Sequence, residues 1–278
     1  MQITHPTDVA RREVGELREG SLDNRVLLTG TEGSSNNYRL QLGLAETDWL
    51  TPRHRHNFDQ IRYPIRGEIQ YAENKVLPAG WVGYFPEGTY YGPQIRKQGL
   101  YMLLCQFGGA SGNGFMSEKQ RKAGFESLRG KGRIEKGAFF YTDDQGAEQK
   151  QDAFEAAWEK ALNRKVDYPS PRYPEVIVMN PENYNWVASP DTPGVEFKWL
   201  GAFTERLTRI GFIRLEKGAK YIAGICRAPE WIFVTKGALS CQERSCPVDT
   251  ALGFEGMEGP IEVRASEPSE AFLVQMEK

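Results

Sequence analysis

The stretch of sequence that decides the fold is Pro52-Arg-His-Arg-His-Asn-Phe-Asp-Gln-Ile-Arg-Tyr-Pro-Ile-Arg-Gly67. Alternate residues of a β-strand lie on the same face, and a mild interruption by a turn at 57–59 preserves that phase. The polar residues that share the phase are His54, His56, Gln60 and Arg62. Two imidazoles two positions apart on a strand can bind one divalent ion. The stretch therefore predicts a polar site on one face of a β-structure.

A second informative stretch is Gly80-Trp-Val-Gly-Tyr-Phe-Pro-Glu-Gly-Thr-Tyr-Tyr91. It predicts a strand that enters a tight turn at Pro86-x-Gly88 and presents Tyr91 beyond it. Around these stretches, short segments rich in Tyr, Ile, Val and Leu are bounded by Gly and Pro, which is typical of β-strands. The first series of predicted strands is 38–44, 60–65, 68–72, 81–85 and 100–107. The second series is 175–179, 207–215, 230–235, 238–243, 261–264 and 271–275.

The segment between the two series has a different composition. Ser117 and Gln120 form a capping box that predicts a short helix to about Leu128. A second helix is predicted to start at Asp152, because apolar residues then recur at helical spacing. The many Lys and Arg residues of the segment are interspersed with acidic ones, which favours a solvated helix face over a binding patch.

The two quoted stretches resemble the paired motifs of the cupin superfamily. The first motif has His-x-His, an acidic residue and a glycine, and this chain has His54-x-His56, Gln60 and Gly67 at the same spacing. The second motif ends in Pro-x-Gly and a histidine, and this chain has Pro86-x-Gly88 and Tyr91. The resemblance implies a small jelly-roll barrel whose motif side chains converge inside it. Gln60 and Tyr91 replace the family's glutamate and last histidine.

The second half of the chain carries a degenerate copy of the first motif. In it, Gly224 and Cys226 stand at the histidine positions and Glu230 at the acidic position. We therefore expect an all-β fold of two tandem cupin (jelly-roll) β-barrels, a bicupin, joined by a partly helical connector. The predicted units are an N-terminal arm at 1–24, a site-bearing barrel at 25–107, the connector at 108–175 and a barrel with the degenerate motif at 176–278.

The predicted metal ligands are His54, His56, Gln60 and Tyr91. Gln60 can bind the ion directly or act from outside the ligand shell. A bound cation lowers the pKa of a phenol, so Tyr91 is either a ligand or a general base, unless it is a core aromatic residue that closes the barrel. The alternative for His54 and His56 is a vestigial pair that binds no metal and is held by hydrogen bonds. The predicted catalytic residues are Tyr91 and Arg62.

Arg62 is predicted to bind substrate, because an inward guanidinium must be paired and no acidic residue shares its phase on the same strand. A salt bridge from another strand is the alternative. The run from His54 to Gly67 also resembles that of gentisate-type ring-cleaving dioxygenases. The resemblance implies a non-haem Fe(II) dioxygenase acting on a small organic anion, with Zn, Mn, Ni or Cu as alternative ions.

Two other functions stay open at this point. In a metal-assisted lyase or isomerase, the ion polarises a carbonyl and Tyr91 removes the adjacent proton. In a non-catalytic small-molecule-binding bicupin, the barrel is a pocket and needs no metal. Incomplete ligand sets in both barrels favour that second possibility.

Composition excludes some classes of partner. The chain has 35 basic and 37 acidic residues among 278, a formal net charge of -2, which provides no electrostatic footprint for nucleic acid. Its first residues lack the apolar run of a signal peptide or membrane span. We expect a cytoplasmic protein with no membrane partner, and by analogy with other bicupins a homodimer.

Overall fold

The computed structural model describes residues 1–12, 21–113, 115–135 and 137–276, and most of these residues lie in β-strands or the turns between them. The strands before the connector are β1 (Gln2–Thr4), β2 (Leu22–Thr29), β3 (Tyr38–Ala45), β4 (Trp49–Thr51), β5 (Asp59–Arg66), β6 (Glu68–Ala72), β7 (Lys75–Pro78), β8 (Val82–Phe85), β9 (Gln94–Arg96) and β10 (Tyr101–Phe107). The connector contains α1 (Glu118–Leu128), β11 (Arg133–Glu135), β12 (Ala138–Thr142), β13 (Glu148–Asp152) and α2 (Ala153–Leu162). The strands that follow are β14 (Ile177–Met179), β15 (Val187–Ala188), β16 (Val195–Phe203), β17 (Thr208–Leu215), β18 (Lys220–Ala223), β19 (Glu230–Lys236), β20 (Ala238–Cys241), β21 (Arg244–Pro247), β22 (Ala251–Phe254), β23 (Ile261–Ala265) and β24 (Ser269–Gln275).

Four antiparallel sheets build two barrels. The first barrel combines a six-stranded sheet, in the order β14-β8-β5-β10-β3-β2, with a four-stranded sheet, β4-β9-β6-β7. The second combines a seven-stranded sheet, β1-β22-β19-β24-β17-β16-β15, with a four-stranded sheet, β18-β23-β20-β21. In each barrel the buried side chains of the two sheets pack into one core. The predicted all-β fold class is confirmed.

Each barrel receives a strand from a distant part of the chain. β1 pairs with β22 at the edge of the second barrel, with Ile3 opposite Leu252. β14, the first strand after the connector, pairs with β8 of the first barrel, with Val178 opposite Gly83. The chain therefore crosses between the two barrels at both places.

The three central strands of the six-stranded sheet separate two different environments. Leu40, Cys105 and Ile61 are cross-strand neighbours on one face, and they are buried in a core shared with Phe212 and Phe272 of the second barrel. The residues that alternate with them point into the first barrel, and most of these are polar. Strand alternation thus gives this sheet an apolar face toward the other barrel and a polar face toward a cavity.

The turn of the second motif fixes Tyr91 opposite the first motif. Gly88 has φ of +77°, and a Cβ there would lie 2.3 Å from the Pro169 carbonyl oxygen, so the position requires glycine. Beyond the turn, the backbone of Tyr91 exchanges hydrogen bonds of 2.9 and 3.0 Å with that of His54. This pairing places the two motifs side by side.

The connector forms a small unit of its own. Both predicted helices are confirmed: Ser117 caps α1 through a capping box with Gln120, and Asp152 caps α2. The helices pack closely at Gly124, where a Cβ would lie 2.2 Å from the Ala157 carbonyl oxygen. A three-stranded sheet, β11-β12-β13, completes the unit. Neither helix has the length and apolar character of a membrane span within the part of the chain that the structure describes.

Truncation of a side chain in the shared core tests the packing of the two barrels. Leu103 is 1% exposed in that core, so Leu103→Ala should lower the free energy of unfolding by about 2–5 kcal/mol. Leu50, which is 45% exposed, is the matched control, and Leu50→Ala should change it by less than about 0.5 kcal/mol. Urea unfolding of both variants provides the measurement. Equal effects would contradict the proposed core.

Candidate functional site

A cavity of about 170 Å³ lies inside the first barrel, against the polar face of the six-stranded sheet. Its lining is strongly basic, and none of the described residues that line it is Asp or Glu. The polar lining consists of Arg12, Arg39, Arg62, Arg96, Arg121, His54, His56, Asn24, Gln41, Gln60, Gln94, Gln106 and Thr51. An interior of this composition suits an anion far better than a neutral or cationic molecule.

Sheet register explains how the polar residues meet. Arg39 lies opposite Gln106, and Gln106 lies opposite Gln60, so the three form one row across β3, β10 and β5. Two residues further along the strands, Leu104 separates Gln41 from Arg62 in the next row. Both rows face the cavity.

Gln60, Arg62 and Tyr91 form a buried hydrogen-bonded network at the centre of the site. The Gln60 Nε2 atom donates to the Tyr91 hydroxyl at 2.6 Å. The Arg62 Nη2 atom donates to Gln60 Oε1 at 3.0 Å and to the Tyr91 hydroxyl at 3.4 Å. All three side chains are at most 3% exposed. Because two donors converge on it, the Tyr91 oxygen is well placed to carry negative charge.

Arg62 is the most constrained residue of the site. Its guanidinium lies over the Phe85 ring at 4.2 Å, and burial lowers its pKa below the ordinary value. Its Nε and Nη1 atoms have no hydrogen-bond partner among the described residues. The alternative of a salt bridge from another strand is not seen, since no described Asp or Glu pairs with it. Arg62 therefore has two nitrogen donors without an acceptor in the described structure, beside a polar cavity.

The two motif histidines lie beside Tyr91. The His54 ring centroid is 4.9 Å from that of His56 and 4.6 Å from that of Tyr91. The His54 Nδ1 atom lies 2.7 Å from the Pro52 carbonyl oxygen, which can only accept, so Nδ1 carries the proton. His56 stacks on Phe58, with the ring centroids 4.5 Å apart.

No family model matches the chain. A search of curated proteins also found no match. Solved structures are similar over nearly the whole length. A proposed dioxygenase from Nostoc punctiforme is 13% identical with a TM-score of 0.65, covering 99% of this chain and 82% of that chain. HEPD from Streptomyces albus, with 2-hydroxyethylphosphonate and Fe(II) bound, is 12% identical with a TM-score of 0.59 (99% and 75%). A mutant of oxalate decarboxylase from Bacillus subtilis is 13% identical with a TM-score of 0.56 (100% and 77%).

The chain has an all-β cupin fold.

The cupin motif positions allow a test of whether a divalent ion fits the site. The protonated Nδ1 of His54 places the imidazole lone pair on Nε2, and a ligating histidine usually donates its other ring N–H in the same way. A metal lies roughly 3 Å from the centroid of an imidazole that binds it, so rings 4.9 Å apart can share one ion. Among the described residues, however, no three His, Cys, Asp or Glu side chains come together to hold a metal. A metal centre would thus need Tyr91, Gln60 or the substrate as well.

Of the two protein side chains that could complete the metal centre, Tyr91 and Gln60, Tyr91 fits better. Gln60 turns its carbonyl oxygen to Arg62 and its amide nitrogen to Tyr91, so its role as a metal ligand stays a prediction. His5, the third histidine of the chain, hydrogen-bonds Thr7 and caps the 3-10 turn at Pro6–Asp8. The residues present fit an ion held by His54 and His56.

Three arginines of the lining come from segments that the motifs do not include. Arg12 precedes β2, Arg39 lies on β3, and Arg121 lies on α1. All three bind Glu118, at 2.6, 2.8 and 2.9 Å. The solvated helix face predicted for the connector is therefore wrong at Arg121, because α1 covers the cavity and turns this side chain inward. Arg96, on β9, is a fourth arginine that the motifs do not include.

The corresponding place in the second cupin barrel is filled by its own side chains. Glu230 is fully buried and accepts hydrogen bonds from Gly224 N at 2.7 Å, Tyr221 at 2.9 Å and Gln275 at 3.1 Å. The carboxylate is thus satisfied internally. This arrangement accounts for a motif that keeps the acidic residue without the histidines.

Removal of one hydroxyl tests the central network. Tyr91→Phe leaves the amide of Gln60 and one N–H of Arg62 without their acceptor, so the free energy of unfolding should fall by about 1–3 kcal/mol. Tyr90 is 46% exposed and provides a matched control, and Tyr90→Phe should change it by less than about 0.5 kcal/mol. Denaturant titration measures both. A Tyr91→Phe variant as stable as wild type would rule out the network.

Asp59, the neighbour of Gln60, faces the opposite side of the sheet and predicts a pH dependence. Burial raises its pKa to about 7, although Tyr84 and the Glu87 N–H donate to it. A raised pKa means that the folded state binds the proton more tightly, so stability should fall between pH 4 and 8, by at most about 1.4 kcal/mol per pH unit. In Asp59→Asn the slope should flatten. Urea unfolding across this range provides the measurement, and identical slopes would contradict the assignment.

Proposed function

We propose that the first barrel is the active site of a metal-dependent enzyme that acts on a small organic anion. The observation that carries this proposal is the position of the His54–His56 pair and Tyr91 beside a cavity that, among the described residues, has a buried, partly unpaired Arg62 and no lining carboxylate. A pair of histidines that can hold an ion, next to an anion pocket, is an arrangement that brings a charged substrate to the ion when it is bound.

The reaction we favour is oxidation by a non-haem Fe(II) dioxygenase. Two features support it: the His54-x-His56 run, which resembles that of gentisate-type enzymes, and the similarity in fold to a proposed dioxygenase and to HEPD with Fe(II) bound. His54 and His56 would hold the ion, with Tyr91 as the third candidate ligand. When bound, the ion supplies Lewis acidity and, as Fe(II), electrons for dioxygen.

The protein's own residues bind, orient and shield the substrate. Arg62 has two nitrogens, Nε and Nη1, without a partner among the described residues, and each can donate a charge-assisted hydrogen bond to an anionic group. The Tyr91 hydroxyl can donate or accept a proton beside the two imidazoles. Phe58 and Phe154 pack around His56 and keep water from that side of the site. A metal-assisted lyase or isomerase would use the same residues, with Tyr91 as the base.

A non-catalytic binding protein is the second candidate. It is favoured by the lack of a third His, Cys, Asp or Glu near the pair among the described residues. In that case the cavity binds an anion without a stoichiometric metal. Metal content separates the two functions directly.

Elemental analysis of the purified protein, supplemented anaerobically with Fe(II), tests the enzyme. We expect about one equivalent of a divalent metal per chain, and less than about a tenth in a His54→Ala/His56→Ala variant, because two of the few protein ligands are gone. His5→Ala is the control and should keep the metal. A metal content below about a tenth of an equivalent in the wild-type protein would contradict the enzyme proposal and favour the non-catalytic binding protein.

A further inference from the structure

The arginines of the cavity form two groups with separate partners. The inner arginines are Arg62 and Arg96, and the outer arginines are Arg12, Arg39 and Arg121, which share Glu118. Both groups line the same cavity, so one small molecule inside it meets both. Each group leaves positive charge uncompensated, by a different arrangement.

The inner arginines have no carboxylate partner among the described residues. Burial and, as the next cause, the nearby charge of Arg62 lower the pKa of Arg96 to about 9. The Nε atoms of both side chains lack a hydrogen-bond acceptor in the described structure. Two neighbouring guanidinium charges without an anion are unfavourable in a buried site, and a bound anion removes that cost.

The outer arginines have an anionic partner, but its negative charge does not balance their positive charge. Within the described part of the chain, three guanidinium charges against the single carboxylate of Glu118 leave two positive charges. Burial also lowers the pKa of Arg39 to about 10, with the charge of Arg12 as the next cause. Arg39 gives one N–H to Gln106 and one to Glu118, while its Nε has no partner among the described residues. The group can therefore accept a second anion.

The sheet sets the distance between the groups. Arg39 lies on β3 and Arg62 on β5, with β10 between them. Two interstrand spacings and an offset of two residues along the strands separate their backbones by roughly 12 Å, and both side chains line the cavity between the sheets. A short carbon chain with an acidic group at each end spans such a gap.

We propose that the ligand of the first barrel is a small diacid, with one anionic group on the inner arginines and the other on the outer arginines. The inference rests on the proposed function and names its substrate class. Carboxylate is the group we assign to both ends, because its oxygens accept charge-assisted hydrogen bonds from guanidinium N–H groups. Uncharged or singly charged molecules leave one arginine group without its anion.

Isothermal titration calorimetry on the full chain tests this assignment. The probes are the unbranched dicarboxylates from malonate to adipate, each beside its monoamide, which keeps the shape but loses one charge. We expect at least one dicarboxylate to bind at least about tenfold more tightly than its monoamide, because the second group contacts the outer arginines. Phosphonoacetate, which carries one phosphonate and one carboxylate, is added to the series as a mixed diacid. If it also binds more tightly than its singly charged analogue, the result supports the diacid class.

Variants assign each end of the ligand. Arg39→Gln should reduce the preference for the dicarboxylate to within about threefold, while Arg62→Gln should weaken the binding of both the dicarboxylate and the monoamide. Arg121→Gln, on the helix that covers the cavity, repeats the first test at a position outside the barrel strands. Arg129→Gln, at an arginine whose side chain is 75% exposed, is the control and should change nothing.

The outcomes separate this inference from the proposed function. A monoamide that binds as tightly as its dicarboxylate, or no binding by any member of the series, overturns the diacid. Diacid selectivity in a protein that holds no metal keeps the diacid and overturns the enzyme. A metal-loaded protein without diacid selectivity keeps the enzyme proposal and overturns the diacid.

Discussion

The interior of the first barrel is organised around a charge that it does not neutralise. Arg62 is 2% exposed, hydrogen-bonded to Gln60 and Tyr91 and stacked on Phe85, yet no described carboxylate pairs with it. An isolated buried charge is costly, so the neutral acceptors and aromatic faces around it are needed for the fold to tolerate it. The same constraint keeps two of its N–H groups available for a ligand.

The two barrels show opposite solutions at the same motif position. In the second barrel the motif keeps Glu230, and four neighbouring donors, including the backbone of Gly224 and the thiol of Cys226, satisfy its carboxylate. In the first barrel Gln60 takes that position, and as a neutral amide it can donate to Tyr91 while it accepts from Arg62. One interior is therefore closed by its own side chains, whereas the other retains a cavity whose charge calls for an anion.

Much of the fold and the centre of the site could be predicted from the sequence, because both depend on local patterns. Strand alternation and motif spacing predicted that Gln60, Arg62 and Tyr91 lie on one face, and these side chains are hydrogen-bonded to one another. Helix caps predicted both connector helices. The outer arginines could not be predicted, since Arg39 and Arg121 meet only through the sheet order and the docking of α1. The sequence does show polar residues, Arg39, Gln41 and Gln106, within otherwise apolar strands. That these residues face one cavity depends on the strand register, which the sequence does not show.

The most direct test of the account is a crystallographic search for an anion in the first barrel. Crystals of the full chain would be soaked in selenate at low ionic strength, and selenium located by its anomalous scattering. We predict a selenium peak in the cavity, with a selenate oxygen about 3 Å from the guanidinium of Arg62. Selenate bound at surface arginines while the cavity contains none would contradict the claim that this barrel is built to bind an anion.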